Sequence, residues 1–402
     1  MNTSTLANRM RMIPRYNWDY GFFDLCKAIS SILLSQSRRT SPHSPLPDLF
    51  AGKHFYTTSG RVSLYTILRS LGLPPGASVG VPLFCCPVVF DAIQRAGFVP
   101  RFLDITSDTY TLSADDIEKK RSGLAAIVAV HMFGHPADMD EILSAAGHIP
   151  VIEDCAQSLF SIYKGRYAGS MGSVSFFSFR SGKHISAGEG SAIICNSPDI
   201  ADRVQKAVSL YPAWGLPQTV LHSLSTYLKS VLYHRPWFGT VGYPIGIRLD
   251  KKLNLTAKSG FAIKQIAAGD RAIIEQRLRR FKTNIKKQRS NAHFFLSEIN
   301  RTSAFFLPIE KEGCESNFYQ FAIRTVDTAQ RDRLAARLAG NGIDSVKYLD
   351  GIAHEAVTSY GYTGDCPVAE QCSRTVLTIP VYYTLSRGDL VRIAENINKL
   401  YG

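Results

Sequence analysis

One lysine stands in a turn rich in serine and glycine, directly after an apolar run that is typical of a buried strand. It is Lys183 in SFRSGKHISAGEG, residues 178 to 190, and the run before it is VSFFSF. An unperturbed lysine amine has a pKa of about 10.4, so its use as a nucleophile near neutral pH requires burial or a nearby charge. A covalent bond to a carbonyl cofactor meets this requirement, and the position of the lysine suggests such a bond.

Pyridoxal 5'-phosphate (PLP) is a carbonyl cofactor that also requires a carboxylate for its pyridinium nitrogen and hydrogen-bond donors for its phosphate. Asp154 follows an apolar segment in VIEDCAQ, at the position where α/β sheets present ligand-binding residues. Gln157, three residues later, can reach the phenolic oxygen of the cofactor. Ser178 and the SGR turn at 59–61, which opens a helix, are the candidates for the phosphate, because a helix N-terminus binds anions.

Each of these signals has an ordinary structural explanation when it is taken alone. A lysine in a Gly/Ser turn is usually a surface residue, an acidic pair after a strand often caps a helix, and Ser-Gly often precedes a helix. The order and spacing of the signals together favour a cofactor site.

The segments that must hold these residues alternate between short apolar strands and helices. The helix that follows SGR carries apolar residues at helical spacing, at Val62, Tyr65, Leu68 and Leu71. Such alternation predicts a mostly parallel α/β sheet with both faces covered. Strands are predicted at 98–103, 125–131, 149–153, 174–179 and 191–195, and a helix at 138–146.

Three parts of the chain are expected. Residues 1–48 form an N-terminal arm and linker, with a helix over 22–34. Residues 49–260 form the large α/β domain, including an amphipathic insert at 211–250. Residues 261–402 form a long helix, running from about 260 to 299, and a small α+β domain with strands at 318–325 and 375–379 and helices at 328–340 and 386–400.

The insert contains TVLHSLSTYLKSVLYH, residues 219–234, which is too short to span a bilayer. We expect its apolar stripe to dock onto the body of the protein or onto a dimer partner. Peripheral membrane contact through 219–248 is the open alternative. The stripe consists of Val220, Leu221, Leu224, Tyr227, Leu228, Val231 and Leu232.

The net charge of +13 over 402 residues permits attraction to nucleic acid, anionic membrane or a phosphorylated small molecule. The basic run at 277–289 covers Leu278, Phe281 and Ile285, which recur at helical spacing, so it reads as the solvated face of a helix. No known nucleic-acid-binding motif accompanies it, and we expect no nucleic-acid partner.

The eight cysteines are scattered, with no C-x-x-C pair, which argues against a zinc site or a disulfide framework. Reduced thiols and the lack of a signal sequence predict a cytoplasmic protein. His131 and His135 have the spacing of a helical metal-ligand pair, but we expect them in a strand and the loop after it. No metal site is therefore predicted.

The quoted stretches resemble the DegT/StrS-type sugar aminotransferases, which are PLP-dependent enzymes of fold type I, the aspartate-aminotransferase fold. The resemblance is strong over 55–210 and looser over 290–400. Its most specific part is Glu153 to Gln157, followed by Ser178 and by Lys183-x-x-x-x-Gly-Glu-Gly. It implies a large domain with a mostly parallel, seven-stranded type of sheet.

The resemblance also implies a role for each candidate residue. Lys183 binds PLP covalently and acts as general acid and base, and Asp154 pairs with the pyridinium nitrogen. Gln157 contacts the phenolic oxygen. Ser178 and the backbone amides of Gly60 and Arg61 hold the phosphate.

For the whole protein, the resemblance implies a homodimer that transfers an amino group from L-glutamate to a keto-sugar. The sugar is expected to be nucleotide-linked, in the biosynthesis of cell-surface polysaccharide or of secondary metabolites.

Two departures from the family pattern leave alternatives open. Many members have an aromatic residue that stacks on the PLP ring, but Cys86 stands at that position here, with Phe84 as a substitute. No Asn-x-Arg occurs around 254–271, where the family often has one. The alternatives are a PLP-binding regulator or scaffold without transaminase activity, and an aminotransferase that acts on a lipid-linked or other non-nucleotide ketone.

Overall fold

The chain is described by a computed structural model that covers residues 8–35, 46, 48–245 and 260–401. The strands are β1 (Lys53–Thr57), β2 (Ser78–Pro82), β3 (Val99–Leu103), β4 (Leu124–Val130), β5 (Val151–Asp154), β6 (Ile162–Tyr163), β7 (Arg166–Tyr167), β8 (Val174–Ser178), β9 (Ser191–Cys195), β10 (Phe305–Phe306), β11 (Cys314–Glu315), β12 (Phe321–Thr325), β13 (Val346–Lys347) and β14 (Val376–Ile379). The helices are α1 (Phe22–Ser35), α2 (Gly60–Ser70), α3 (Pro87–Arg95), α4 (Ala114–Lys120), α5 (Met139–Ala146), α6 (Pro198–Ser209), α7 (Leu216–Leu232), α8 (Ala268–Leu278), α9 (Phe281–Glu298), α10 (Thr328–Gly340), α11 (Ile352–Tyr360), α12 (Pro367–Thr375) and α13 (Arg387–Tyr401).

The central sheet has seven strands in the order β1-β9-β8-β5-β4-β2-β3. The four pairs from β8 to β3 are parallel, and β9 is antiparallel to both β8 and β1. The predicted fold class, a mostly parallel α/β sheet, is confirmed. All five predicted strands are present, whereas β1 and β2 were missed because their polar residues, glycine and proline hide the strand pattern.

Both faces of the central sheet are buried, as expected for parallel strands that helices cover. Val128 and Ile152 pack in one apolar cluster, while their chain neighbours Ala129 and Val151 pack in another. This follows from strand geometry, since successive side chains point to opposite faces.

The C-terminal part forms a second sheet of four antiparallel strands in the order β10-β12-β14-β13. Its strands β12 and β14 and its helices α10 and α13 lie where the sequence predicted them. A third, three-stranded sheet, β11-β6-β7, joins this part to the large domain.

The single long helix predicted from about 260 to 299 is wrong in two respects. Helix begins only at Ala268, and it is interrupted between Leu278 and Phe281. The interruption accompanies the packing of Phe281 into the core, where its ring contacts His184 and Tyr383. The outer face of this region is basic and the inner face is buried, as the sequence indicated.

The N-terminal arm packs against the rest of the chain. Ile13 pairs with Ile343 beside the second sheet, and the Arg15 guanidinium makes two hydrogen bonds to Asp344, at 2.7 and 3.0 Å. Most of the linker, residues 36–45 and 47, lies outside the described residues. The division of the chain at 48/49 and 260/261 stays a proposal.

Helix α7 of the insert faces the opposite way from the prediction. Its buried residues are small hydroxyl side chains, whereas Leu221, Leu224 and Leu228 are 68, 46 and 61% exposed. The prediction that these leucines dock onto the body of the chain is therefore wrong for its described residues, whereas docking onto a dimer partner stays a prediction. These small side chains let α7 lie close to the rest of the chain. Thr226 packs against Gly188, and Ser230 donates a hydrogen bond to the Trp18 carbonyl. Residues 246–250 of the insert lie outside the described residues.

Among the described residues, no helix combines the length and the apolar character that crossing a bilayer requires.

Helices α1 and α8 meet at a close contact between Ala28 and Gly269, where a Cβ on Gly269 would lie 3.0 Å from the Ala28 Cβ. We expect Gly269→Leu to lower the free energy of unfolding by about 1–3 kcal/mol through overpacking. Chemical denaturation measures this change. The matched control is Gly340→Leu, because Gly340 has open space around its Cβ position. Equal stability of the two variants would contradict this view of the contact.

Candidate active site

The candidate site is a cavity of about 340 Å³ at the carboxyl edge of the central sheet. The structure brings together all the predicted site residues, which line this cavity: Gly60, Arg61, Cys86, Asp154, Gln157, Ser178 and Lys183. Phe84 does not line it. The Phe84 ring is fully buried among Tyr110, Phe133 and Tyr348, so the expectation that Phe84 replaces the stacking aromatic is wrong.

Sheet topology places the acidic and hydroxyl groups of the site side by side. Asp154 and Ser178 are the last residues of β5 and β8, which are adjacent parallel strands, so their side chains lie at the same edge. Helix α2 begins at this edge, with Ser59 as its N-cap. A Cβ on Gly60 would lie 3.4 Å from the Phe176 ring, so the helix start fits closely against β8.

The turn that carries Lys183 is fixed by hydrogen bonds at several points. The Lys183 N–H donates to the Arg180 carbonyl at 2.9 Å, and the Gly182 N–H donates to the Ser186 hydroxyl at 3.2 Å. Gly182 has a φ of 87°, which favours glycine in this turn. From the C-terminal part, the Tyr319 hydroxyl donates to the Gly182 carbonyl at 3.0 Å.

Burial lowers the pKa of the Lys183 amine, although the carboxylate of Asp154 opposes this effect. The amine nitrogen lies 4.8 Å from the centre of the Tyr319 ring. Burial and the neighbouring lysine also lower the pKa of His184 to about 3, so this imidazole is neutral near pH 7. The lysine therefore reaches its neutral, nucleophilic form more easily than an exposed lysine does.

Asp154 is a buried carboxylate, 5% exposed, that accepts a hydrogen bond from the Ala156 N–H at 2.9 Å. Burial raises its pKa, and the Ala156 N–H, Lys183 and His131 act in the opposite direction. A buried carboxylate is stabilised by a cationic partner. A protonated ring nitrogen in the cavity would supply one.

Gln157 is already engaged with protein groups. Its amide oxygen accepts from the Phe133 N–H at 3.0 Å, and its amide nitrogen donates to the Tyr348 hydroxyl at 3.0 Å. A contact with the phenolic oxygen of a cofactor therefore has to share this amide with Tyr348.

Donors for a phosphate converge at the other end of the cavity. Gly60 and Arg61 are the first residues of α2, so their N–H groups have no partner within the helix. The Ser178 hydroxyl faces the same cavity and, within the described residues, has no protein hydrogen-bond partner. A lysine, a buried carboxylate and an anion cradle in one cavity are the donor set that PLP requires.

His131 and Glu153 support the site from beneath. Glu153 accepts hydrogen bonds from His131 Nε2 at 3.0 Å and from the N–H groups of Gly169, Met171 and Gly172 at 2.7, 2.7 and 2.6 Å. His131 Nδ1 accepts from Ala137, and His135 is likewise bonded to backbone groups. His131 follows β4 and His135 ends the next turn, as expected from the sequence.

The ligand atoms of His131, Glu153 and Cys155 lie within 4.8 Å of one another. Both Glu153 oxygens are already occupied by the hydrogen bonds described above. This cluster therefore offers no free carboxylate oxygen to a metal ion, and the absence of a metal site stays a prediction.

Three tyrosines of the cavity, Tyr16, Tyr319 and Tyr348, are among the lining residues that the sequence did not predict, and Arg180 is another. Tyr16 comes from the N-terminal arm and stacks on Tyr319, with ring centres 6.4 Å apart and planes at 16°. Helical or strand periodicity could not find them, because long-range pairing brings all three to the site. A tyrosine next to a basic residue in the arm, as in Arg15-Tyr16, was the only local signal.

The fold and this cavity together define a fold type I aminotransferase. The chain belongs to the DegT/DnrJ/EryC1/StrS aminotransferase family, whose sequence model matches residues 50–398.

Two curated relatives and one solved structure illustrate the similarity. The chain is 28% identical to a GDP-perosamine synthase of Escherichia coli O157:H7, over 86% of this chain and 84% of that protein. It is 26% identical to a dTDP-3-amino-3,4,6-trideoxy-alpha-D-glucose transaminase of Streptomyces venezuelae, over 85 and 81%. The fold matches that of a Streptococcus pneumoniae protein solved in its PLP form, with a TM-score of 0.75, 18% identity and coverage of 97 and 98%.

The pKa of Glu153 gives a test of its supporting role. Burial acts to raise this pKa, but the bonds from His131, Gly172 and Gly169 outweigh burial and leave it below its usual value. A lowered pKa stabilises the folded protein above about pH 4.3, and this stabilisation is lost as the pH falls through the folded-state pKa.

We expect Glu153→Gln to lower the free energy of unfolding at pH 7 by about 2 kcal/mol, because three N–H groups lose a charged acceptor. The stability of the variant should also fall less steeply between pH 5 and 3. Urea denaturation across this range measures both effects, with the exposed Glu118→Gln as control. An unchanged acid limb would contradict the assigned role.

Proposed function

We propose that this aminotransferase uses PLP to move an amino group from L-glutamate to a keto-sugar, most simply a nucleotide-linked one. The single observation that carries the proposal is the convergence of Lys183, Asp154 and the anion cradle on one cavity. When bound, PLP supplies an electron sink that stabilises the charge left on a carbon that loses its proton.

Each side chain would then have a defined task. Asp154, as a carboxylate, holds a proton on the pyridine nitrogen, and Ser178 with the N–H groups of Gly60 and Arg61 binds the phosphate. The Lys183 amine takes the proton from the α-carbon of the amino donor and returns it at the cofactor. Cys86 is exposed to the cavity at the position where the family resemblance implies a stacking aromatic, so its thiol would replace that ring contact.

The proposed substrate class rests on the relatives and on the charge of the cavity. The two relatives named above act on GDP- and dTDP-linked sugars by their names. Arg61 and Arg180 line the cavity, and two cations suit a diphosphate. A lipid-linked or other non-nucleotide ketone is the alternative acceptor.

We further propose a homodimer in the cytoplasm. The homodimer follows from the family resemblance. All eight cysteines are unpaired, which suits a reducing compartment and an enzyme of cytoplasmic sugar-nucleotide biosynthesis.

An absorbance titration tests the core of the proposal. We expect purified protein mixed with PLP to show a cofactor band that depends on Lys183, and L-glutamate to shift this band to that of the aminated cofactor. Lys183→Ala should lose the glutamate response by at least about 10³-fold, because general acid–base catalysis alone contributes 10²–10⁴-fold.

Lys286→Ala is the matched control, since Lys286 is an exposed lysine of α9. A lysine-dependent band that ignores glutamate and other amino donors would support the regulator or scaffold alternative. The absence of any lysine-dependent band would overturn PLP binding as proposed.

The arm residue Tyr16 is expected to contact the acceptor sugar rather than the amino donor. Its ring forms the outer layer of the stack Tyr16–Tyr319–Lys183. We expect Tyr16→Ala to raise the acceptor KM by about three- to tenfold, equivalent to an aromatic contact of 0.5–1.5 kcal/mol.

The half-reaction with glutamate, followed by stopped-flow absorbance, should change less than about twofold, since this step lacks the sugar. Tyr16→Phe should restore most of the acceptor affinity if the ring makes the contact. Arg11→Ala, an exposed arm residue, is the control. Equal losses in both half-reactions would assign Tyr16 a structural role instead.

A further inference from the structure

Helices α1 and α7 together expose an apolar surface that the fold does not use. We define the apolar face by the exposed side chains Phe22, Phe23, Leu33, Leu221, Leu224 and Leu228, which are 60, 87, 59, 68, 46 and 61% exposed. The two halves adjoin, because the Phe22 ring contacts the Tyr227 ring at 6.3 Å between centres. An exposed patch that joins two helices marks an interaction site more often than scattered single residues do.

The core contacts of both helices are made by other side chains. Leu25 and Ala28 of α1 are buried, the latter against Gly269 of α8. Helix α7 turns Thr219, Ser223, Thr226 and Ser230 inward. Soluble proteins expose large apolar groups of this kind at a cost in solubility, so the outward leucines and phenylalanines indicate an external partner.

The charge around the apolar face is positive. Lys27 and Lys229 are exposed on the two helices, and α7 contains no acidic residue. The one acid of α1, Asp24, forms an ion pair with Arg277 at 2.7 Å. Trp237, 52% exposed, follows the end of α7. Exposed aromatic and aliphatic side chains next to lysines are typical of helices that lie in the interface of an anionic membrane.

We propose that the apolar face binds the surface of an anionic lipid bilayer, with α1 and α7 lying in its interface. A second copy of the chain fits this face less well. A two-fold interface pairs a patch with itself, so Lys27 and Lys229 would meet a patch whose described residues offer no unpaired acid. Lipid phosphates provide the complementary charge. Helix α1 lies outside the residues matched by the family, so the half of the face that α1 contributes is not part of the shared enzyme body, whereas α7 lies within the matched residues.

Vesicle flotation with the full-length, PLP-loaded protein tests the proposal. We expect binding to vesicles of phosphatidylglycerol and phosphatidylcholine, at least tenfold weaker binding to phosphatidylcholine alone, and weaker binding at high salt. Leu221→Glu/Leu228→Glu and Phe22→Glu/Phe23→Glu should each reduce binding to the anionic vesicles at least tenfold.

The matched control is Val357→Glu, an exposed apolar residue of α11 with 55% exposure, which should bind as the wild type does. Lys27→Glu/Lys229→Glu leaves the apolar contacts intact and should weaken binding several-fold. It also keeps the proposal testable if the glutamate variants of the apolar residues fail to fold. The PLP absorbance band and circular dichroism report folding in every variant.

Three outcomes would overturn the proposal: wild-type protein that ignores anionic vesicles, variants that bind as well as the wild type, or binding that is equal on neutral vesicles. Light scattering distinguishes membrane binding from the competing explanation, a subunit interface. If Leu221→Glu/Leu228→Glu turns an oligomer into a monomer and no form binds vesicles, the apolar face is a subunit interface. These readouts do not depend on transamination, so a negative result for membrane binding is distinguishable from a failure of the proposed function.

Discussion

The site depends on one electrostatic constraint, the burial of a carboxylate and an amine at the same edge of a sheet. Asp154 ends β5 and is almost completely buried, and Lys183 follows the neighbouring strand β8 in a turn fixed by several hydrogen bonds. Burial raises the pKa of the acid and lowers that of the amine, so it disfavours the charged form of both groups. The charge of each group opposes this effect of burial on the other. Such a pair is maintained only if the surrounding backbone is rigid.

That rigidity comes from groups that never face the cavity. Glu153, one residue before Asp154, points to the other side of the strand and gathers four hydrogen bonds from His131 and the 169–172 loop. Because adjacent strand residues alternate between faces, one Glu-Asp pair serves two purposes, with Glu153 anchoring the strand and Asp154 facing the cavity. The two adjacent acidic residues in VIEDCAQ therefore have separate physical roles.

Much of this arrangement could be predicted from sequence, because it is local. Asp154, Ser178 and Lys183 lie at the ends of strands that apolar runs identify, and parallel strands bring those ends together. Failures came where position depends on distant contacts. The sequence predicts that Phe84 stacks on a cofactor ring, but Phe84 packs into an aromatic cluster with Tyr348, which is distant in sequence.

The prediction of the buried face of helix α7 was wrong for a related reason. Its leucine stripe predicts an inward face, but the space beside Gly188 and Trp18 is occupied by Thr226, Ser230 and His222, and no local pattern reports the size of that space. The break between α8 and α9 likewise contains no proline or glycine that would mark it, and it accompanies the packing of Phe281 into the core.

The pairing of the arm with the second sheet has a mechanical consequence. Ile13 and Arg15 are fastened to Ile343 and Asp344, and Tyr16 follows directly, so the arm lies on the same side of the cavity as Tyr319 and Tyr348. The inner wall, with Asp154 and Lys183, belongs to the central sheet. Any hinge motion between the two sheets would therefore have to break the hydrogen bonds that Tyr319 and Tyr348 make across the cavity, with the Gly182 carbonyl and the Gln157 amide.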